Sequence, residues 1–427
     1  MPEVAPEVRV ARNGLRPVQR KAALSAVELG FVVLMIFNVA LPKGGIKLAG
    51  LPLTWGYLFA AILAVPAAIC LHRRPGIVTM PLLQSACLFL PVGGLIALKA
   101  FVYGLTMSVA AVTLVQFLVL PIIMLAVLGP YLEEISTDLL ATTLVWCLRF
   151  AAMWGLVNFI LYPLIHSFLE VPYLTVNGAD VGTIYEKNNR RGALMKLVST
   201  YNNGNLFGIC MVLLAPIYVL FEKSRVWLAL FIIAAICTLS RTVWFAMAAV
   251  TGIMMLTGQI KVRGLQVWLA IVLAVCVLMA VLPLMGWTPD RLVDTSLGGR
   301  DRTFARFELS IFGGDHLTIP EIVYLGFLNS FGIVGFVFAV GALACGPLFG
   351  LLHWPRLSPL RRAAVAGLGG YMVGALIDGA FILPPVMLQF LFVTSLVYRR
   401  GLRPQAEPVL QMHRASVASH SASPARA

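Results

Sequence analysis

An apolar run of about eighteen residues or more is long enough to cross a bilayer as a helix, and this chain is built largely of such runs. Broken by charge or by Pro and Gly, the apolar segments fall near 22–41, 54–71, 80–102, 107–128, 137–162, 198–221, 226–240, 243–258, 265–287, 321–351, 363–380 and 383–398. At about 20 residues per span, twelve spans take up more than half of the 427 residues. A mean hydropathy of +0.90 and a charged fraction of 12% agree with this, since soluble proteins carry about 25% charged residues. A large soluble catalytic domain is therefore excluded. An outer-membrane barrel is excluded too, because its strands alternate over about ten residues. The expected fold is all-α, a polytopic integral membrane protein of about 12 transmembrane helices.

The net charge of +14 has meaning only once it is divided between the two sides of the membrane. With the N-terminus inside, Arg9 to Lys21, Arg73, Arg74, Lys223, Arg225, Lys261, Arg263, Arg356, Arg361, Arg362, Arg399 to Arg403, Arg414 and Arg426 all face the cytoplasm. That is the pattern the positive-inside rule requires, and it puts both termini in the cytoplasm. The inward loop with Glu133 and Glu134 is the exception, and acidic residues weigh little in the rule. Three parts follow: a basic cytoplasmic N-terminus over 1–21, one transmembrane domain over 22–398, and a disordered cytoplasmic tail over 399–427. The first apolar run lacks a small-residue cleavage site and reads as a retained span. All seven cysteines fall inside apolar runs, so they are expected to be buried apolar side chains, with neither a disulfide framework nor a zinc site.

Two outward loops, near 163–197 and 288–320, exceed ordinary connection lengths. They carry Lys187, Arg190, Arg191 and Lys196 in the first and Arg291, Arg300, Arg302 and Arg306 in the second. Cations on the side where topology disfavours them point to anion binding, with contact to headgroups or to Asp180, Glu186 and Asp301 as the alternative. The junction Leu239-Ser240-Arg241-Thr242-Val243-Trp244 joins two spans without a polar loop. An arginine held there suits a phosphate, as its guanidinium fork matches phosphate oxygens, though arginines also snorkel at interfaces. Gly298-Gly299-Arg300-Asp301-Arg302 offers close backbone approach together with charge, or else a turn closed by Asp301.

At the start of the sixth span, Ser199-Thr200-Tyr201-Asn202-Asn203-Gly204-Asn205 is polar where a membrane helix is normally apolar. Unpaired amides in hydrocarbon are costly, so these groups face a wet cavity or a neighbouring helix. Before the tenth span, Asp315, His316 and Glu321 are outward titratable groups. His316 is suited to general-base work near neutral pH, and Glu321 either joins it or closes a capping box with Thr318. Glu28, Arg149 and Asp378 lie inside apolar runs, where ionisable residues pair or function. Arg149 is expected to pair with Glu28 or Asp378 in a structural role, and Asp378 is placed to reach an outward cavity.

The order of these pieces resembles the O-antigen polymerase and ligase superfamily. The residues that carry the resemblance are Ser199 to Asn205, Leu239 to Trp244, Gly299-Arg300, Tyr324-Leu325, Phe331-Gly332-Ile333-Val334-Gly335, and an early loop of Leu41-Pro42-Lys43-Gly44-Gly45 followed by Leu51-Pro52-Leu53-Thr54. The resemblance implies a GT-C-like membrane glycosyltransferase in the bacterial inner membrane. Its substrate would be a glycan on undecaprenyl pyrophosphate, with no metal or other cofactor. A Wzy-type polymerase would join such repeat units into exopolysaccharide or O-antigen at the periplasmic face, and a ligase would pass a finished chain to an acceptor. Implied partners are donor and acceptor lipid-linked glycans, membrane lipids, a flippase and a chain-length regulator, and no nucleic acid. Arg241, Arg300, Arg302 and Arg191 would hold the pyrophosphate, and Asn202, Asn203, Asn205 and Tyr324 would line the glycan cavity. Members of the superfamily commonly carry a His-Asn pair before the Tyr-Leu, where this chain has Glu321-Ile322, so the base is left among Glu321, His316 and Asp378. From a different class, a twelve-span transporter or flippase fits the same span count.

Overall fold

The computed structural model describes residues 24–48, 51–73, 80–104, 107–185, 189–191, 194–260, 283, 309–314, 322–378 and 384–399. The protein is mostly helical, and among the described residues six helices are long and apolar enough to cross a membrane: Trp55–Arg73, Met80–Val102, Val109–Leu132, Thr137–Ile165, Gly204–Phe221 and Val323–Leu352. With the shorter apolar helices, such as Ala26–Ala40, Arg225–Cys237 and Arg241–Leu256, this makes a multi-pass membrane protein. The segment expected over 265–287 lies outside the described residues apart from Pro283, as do the N-terminal region and the tail beyond Arg399.

In chain order the described α-helices are α1 (Ala26–Met35), α2 (Trp55–Arg73), α3 (Met80–Cys87), α4 (Leu90–Val102), α5 (Met107–Leu114), α6 (Gly129–Leu132), α7 (Thr137–Ile165), α8 (Gly204–Phe221), α9 (Arg225–Cys237), α10 (Arg241–Leu256), α11 (Val323–Leu352), α12 (Pro359–Gly374) and α13 (Pro384–Tyr398). Wider π turns extend α1 over Ile36–Ala40 and link α5 to α6 on both sides of Pro121. The all-helical expectation needs one correction: β1 (Gly45–Leu48) and β2 (Leu51–Thr54) form an antiparallel hairpin, and β3 (Arg190–Arg191) pairs with β4 (Leu194–Met195). The hairpin rests on the segment after α7, where the Trp55 indole donates to the Tyr173 carbonyl at 2.6 Å and Gly45 bridges to Asn177. Gly44 permits this contact, since a β-carbon there would lie 2.3 Å from the Leu174 carbonyl oxygen.

α12 packs against α8, α10, α11 and α13. Its small residues let the backbones touch, as interfaces between membrane helices require. A β-carbon on Gly367 would sit 2.1 Å from the Leu213 carbonyl oxygen, and one on Gly370 would sit 2.0 Å from Val250. The contact pairs fix direction. Gly367 faces Leu213 while Gly374 faces Ile209 on α8, and Gly370 faces Val250 while Gly374 faces Ala246 on α10. On α11, Tyr324 meets Met372 and Gly350 meets Val365; on α13, Tyr371 meets Phe390 and Arg361 meets Val397. All four neighbours therefore run antiparallel to α12, and their N-termini gather at the end where α12 finishes.

Arg149 and Glu28 have partners other than those expected. The Arg149 guanidinium donates twice to Glu222, at 2.8 and 2.7 Å, and lies between the Trp146 and Trp227 rings at 5.2 and 5.1 Å. Glu222 also accepts from Tyr218 and from the Ser224 backbone. Depth explains the difference: Glu222 follows the far end of α8, whereas Asp378 follows α12 at the opposite end. Glu28 closes a capping box with Ser25 at the start of α1. The cysteines also differ from expectation: among the described ones, only Cys147 and Cys210 are buried in the protein, and Cys87 is exposed on α3, while Cys276 lies outside the described residues.

The Arg149 hydrogen bonds hold the Glu222 carboxyl down at about 2, against an ordinary value of 4.5. A lowered carboxyl stabilises the fold above its unfolded value, and that contribution is lost as the pH falls through the folded one. Thermal unfolding in detergent should show a loss specific to the wild type, absent in Glu222→Gln, between about pH 4.5 and pH 2. At neutral pH, Glu222→Ala should cost about 3–5 kcal/mol, most of it recovered when Arg149→Met is combined with Glu222→Leu.

Candidate functional site

The end at which α12 finishes collects the N-termini of α8, α10, α11 and α13, and a helix N-terminus carries about half a positive charge. Negative groups are therefore favoured there. Asp378 occupies this end. The chain turns after α12, with the Asp378 amide donating to the Gly374 carbonyl at 2.9 Å, and the side chain is buried, 2% exposed.

Its partner comes from α8. Asn205 Nδ2 donates to Asp378 Oδ2 at 2.6 Å, and Asn205 Oδ1 accepts from Lys196 Nζ at 2.8 Å. Lys196, itself only 2% exposed, thus lies one amide away from a buried carboxylate. Burial of an ammonium and a carboxylate is tolerable because each is hydrogen-bonded toward a group of opposite charge. The amide can serve only in this orientation, since an ammonium donates and never accepts.

Local structure positions each member. Asn203 caps α8, its Oδ1 accepting from the Asn205 and Leu206 amides at 2.8 and 3.3 Å, as an N-cap asparagine does. Asn202 precedes it in the left-handed region, φ 56°, which asparagine tolerates better than most residues. Asn189, fully buried, ties the segment together: its carbonyl accepts from the Lys196 amide at 2.8 Å, and its side chain bonds Ile184, Asn202 and Gly204. Asn189 did not stand out in the sequence, because nothing local separates it from the basic residues that follow.

The three hydroxyls of Ser199-Thr200-Tyr201, expected to face a cavity or a helix, face helices. Ser199 donates to the Ala151 carbonyl at 2.6 Å, Thr200 to Ala40 at 2.7 Å and Tyr201 to Val39 at 2.8 Å. The last two carbonyls belong to the π turn that ends α1. Gln389 of α13 donates to Tyr201 Oη and to the Asn38 carbonyl. Ala151 lies fourteen residues before the end of α7, about 20 Å at 1.5 Å per residue, so this polar turn sits well below that helix end.

Arg241 begins α10, and Thr238 to Ser240 alone separate it from α9. The turn is tight, with Leu239 at φ 49°. The junction is fastened to the segment after β4 by the Leu197 amide, which donates to the Cys237 carbonyl at 2.9 Å. α8 and α10 touch where a β-carbon on Gly208 would meet Val243 at 2.2 Å. Asn205 and Arg241 therefore both lie within a turn of one helix contact, with Arg241 exposed. The Trp244 indole holds the end of α9 through the Ile236 carbonyl at 3.1 Å.

Comparison with protein-family models gave no match, and no curated protein matched the chain.

Tyr324 uses its hydroxyl on the Met372 carbonyl at 2.9 Å, joining α11 to α12. Arg191 is in β3. Arg300, Arg302, His316 and Glu321 lie outside the described residues. The second long loop contributes one described piece, Leu309 to Gly314, which docks into a break in α11. At the break Gly332 has φ 66°, and the Ile333 and Val334 amides donate to the Ser310 and Ile311 carbonyls at 3.0 and 3.2 Å. A β-carbon on Gly332 would meet the Ile311 carbonyl oxygen at 2.3 Å, so both the backbone conformation and the close approach require glycine. Lys99, buried on α4, donates to the Gly314 carbonyl.

Tyr201→Phe removes the donor to Val39 and the acceptor for Gln389 while keeping the ring. It should cost about 1–3 kcal/mol, the penalty for buried polar groups left unsatisfied, read as a lower unfolding temperature in nanodiscs.

Proposed function

We propose that the protein is a metal-independent membrane glycosyltransferase, a polymerase that joins undecaprenyl-pyrophosphate-linked oligosaccharide units into exopolysaccharide or O-antigen at the periplasmic face of the bacterial inner membrane. The observation that carries this reading is the pairing, at one end of the bundle, of an exposed arginine at a helix N-terminus with a buried Lys196–Asn205–Asp378 chain. In this reading the arginine holds the leaving diphosphate and the carboxylate takes the acceptor's proton.

The step follows from those roles. The acceptor hydroxyl oxygen bonds the anomeric carbon, the bond from that carbon to the diphosphate breaks, and the hydroxyl proton passes to a carboxylate. Direct displacement inverts the anomeric centre. Arg241, with Arg300, Arg302 and Arg191, holds the charge that grows on the leaving diphosphate, and donors fixed in advance are effective there. Asp378 joins Glu321 and His316 as a candidate base, and Asn202, Asn203, Asn205 and Tyr324 border the glycan site.

Orientation supports a periplasmic reaction. His72, Arg73, Lys223, Arg225, Arg356, Arg361, Arg362 and Arg399 cluster at the end opposite Asp378, which the positive-inside rule assigns to the cytoplasm. Twelve spans agree with the helix directions: α10 and α11 start from the same end, as they must if a span over 265–287 returns the chain between them.

Transfer of a finished chain to another acceptor, the ligase reaction, uses the same groups. A transporter or flippase is the second reading, favoured by the break in α11 with buried Lys99 beside it, because broken helices mark transport sites. The deciding experiment incubates the full chain in lipid, without added metal, with an undecaprenyl-pyrophosphate-linked repeat unit. A ladder of longer lipid-linked glycans, reduced about 10²–10³-fold by Arg241→Ala, is expected. A full ladder in the variant would refute the role of Arg241, and flux in vesicles without any ladder would favour transport.

A further inference from the structure

Lys196 stands in the sequence as one of several loop cations suited to an anion, but its ammonium is buried and directed at the Asn205 amide, not outward. We infer that Lys196 is a positioning residue for Asp378, acting through Asn205, and that Asp378 is the group that takes the acceptor's proton; this rests on the glycosyl-transfer reading above.

The inference follows from hydrogen-bond polarity. Lys196 can only donate, so Asn205 must turn its carbonyl oxygen to Lys196 and its NH2 to Asp378. An NH2 group aimed at Asp378 Oδ2 requires an accepting oxygen there, which leaves any proton to the other oxygen of the group. Lys196 therefore sets the orientation of the carboxyl group, and its positive charge one amide away favours the ionised form that can receive a proton. Its own position is fixed twice: its amide bonds the Asn189 carbonyl, and its stem lies where a β-carbon on Gly204 would meet it at 2.7 Å. A lysine held this firmly ties Asp378 to Asn189 and to the start of α8. Tyr371, a buried neighbour one helix turn into α12, is within electrostatic reach of the same carboxylate. Asn205 is only partly buried, so the chain opens outward at its middle member, beside the arginine proposed for the diphosphate. In the step, the acceptor oxygen joins the anomeric carbon, its proton moves to Asp378, and the electron pair of the broken bond leaves with the diphosphate.

The test uses the full chain in nanodiscs, with Lys196→Met, Lys196→Arg, Asp378→Asn and the Lys196→Met/Asp378→Asn double variant. Kinetics of chain extension on the undecaprenyl-pyrophosphate-linked repeat unit should show kcat reduced about 10²-fold or more in Asp378→Asn, as for loss of a general base. Lys196→Met should lower kcat about tenfold with KM nearly unchanged, Lys196→Arg should recover most of it, and in the Asp378→Asn background Lys196→Met should have no further effect, because residues acting as a unit are non-additive. An equal loss from Lys196→Met in both backgrounds, or a loss confined to KM, would overturn the inference. Should Lys196→Met fold poorly, the double variant, which buries no lone charge, still supplies the comparison with Asp378→Asn.

Infrared difference spectra against Asp378→Asn at neutral pH need no substrate. The wild type should show Asp378 as a carboxylate, and either Lys196→Met or, in its place, Asn205→Leu should show a protonated-carboxyl band. A protonated Asp378 in the wild type, or an unchanged carboxylate in both variants, would remove the link. A wild type that extends no glycan but passes the infrared test would refute the glycosyl-transfer reading alone.

Discussion

The close approach of α12 to its neighbours is the constraint on which the rest depends. Lipid tails offer no hydrophobic advantage to helix association, so helices in a bilayer meet where small residues let their backbones touch. Gly367, Gly370 and Gly374 supply that contact on α8 and α10. Because α12 runs against all four of its neighbours among the described helices, their N-termini come together beside Asp378. A local packing preference thus creates an electropositive end, and the buried carboxylate is placed where it is best tolerated.

The two polar ends are put together by different means. At one end Arg149 meets Glu222 directly, with two short hydrogen bonds and two indole faces, an arrangement suited to holding three helices together. At the other end an amide links Lys196 to Asp378, and Arg241 lies exposed nearby. A direct bidentate pair locks, whereas a relay through a partly open amide orients a carboxylate while leaving the site in reach of a ligand. The break in α11 adds irregular backbone that stays inside the protein, its free amides taken by the Leu309 to Gly314 segment, which is the condition under which such backbone is tolerated at membrane depth.

Much of the helical frame was legible from hydropathy, because lipid forces every backbone group to be satisfied within its own segment. Expected spans over 54–71, 80–102 and 137–162 correspond to α2, to α3 with α4, and to α7 within a few residues. The polar run at 199–205 was legible as unusual, but its division was not: the Ser199, Thr200 and Tyr201 hydroxyls fasten helices, whereas Asn205 joins the buried charges. The β1–β2 hairpin was missed because two four-residue strands leave no periodicity that a short loop could display.

Sequence by itself determined that the chain crosses a membrane repeatedly, which ionisable residues sit inside apolar runs, and that Arg241 begins a helix at a tight junction, since these depend only on local composition and spacing. Tertiary structure alone decided the partners. Arg149 belongs to Glu222 and not to Asp378, and Lys196 turns inward to Asn205, because the depth and direction of each helix determine which polar groups share an end, and residues far apart in the chain carry no local signal of that.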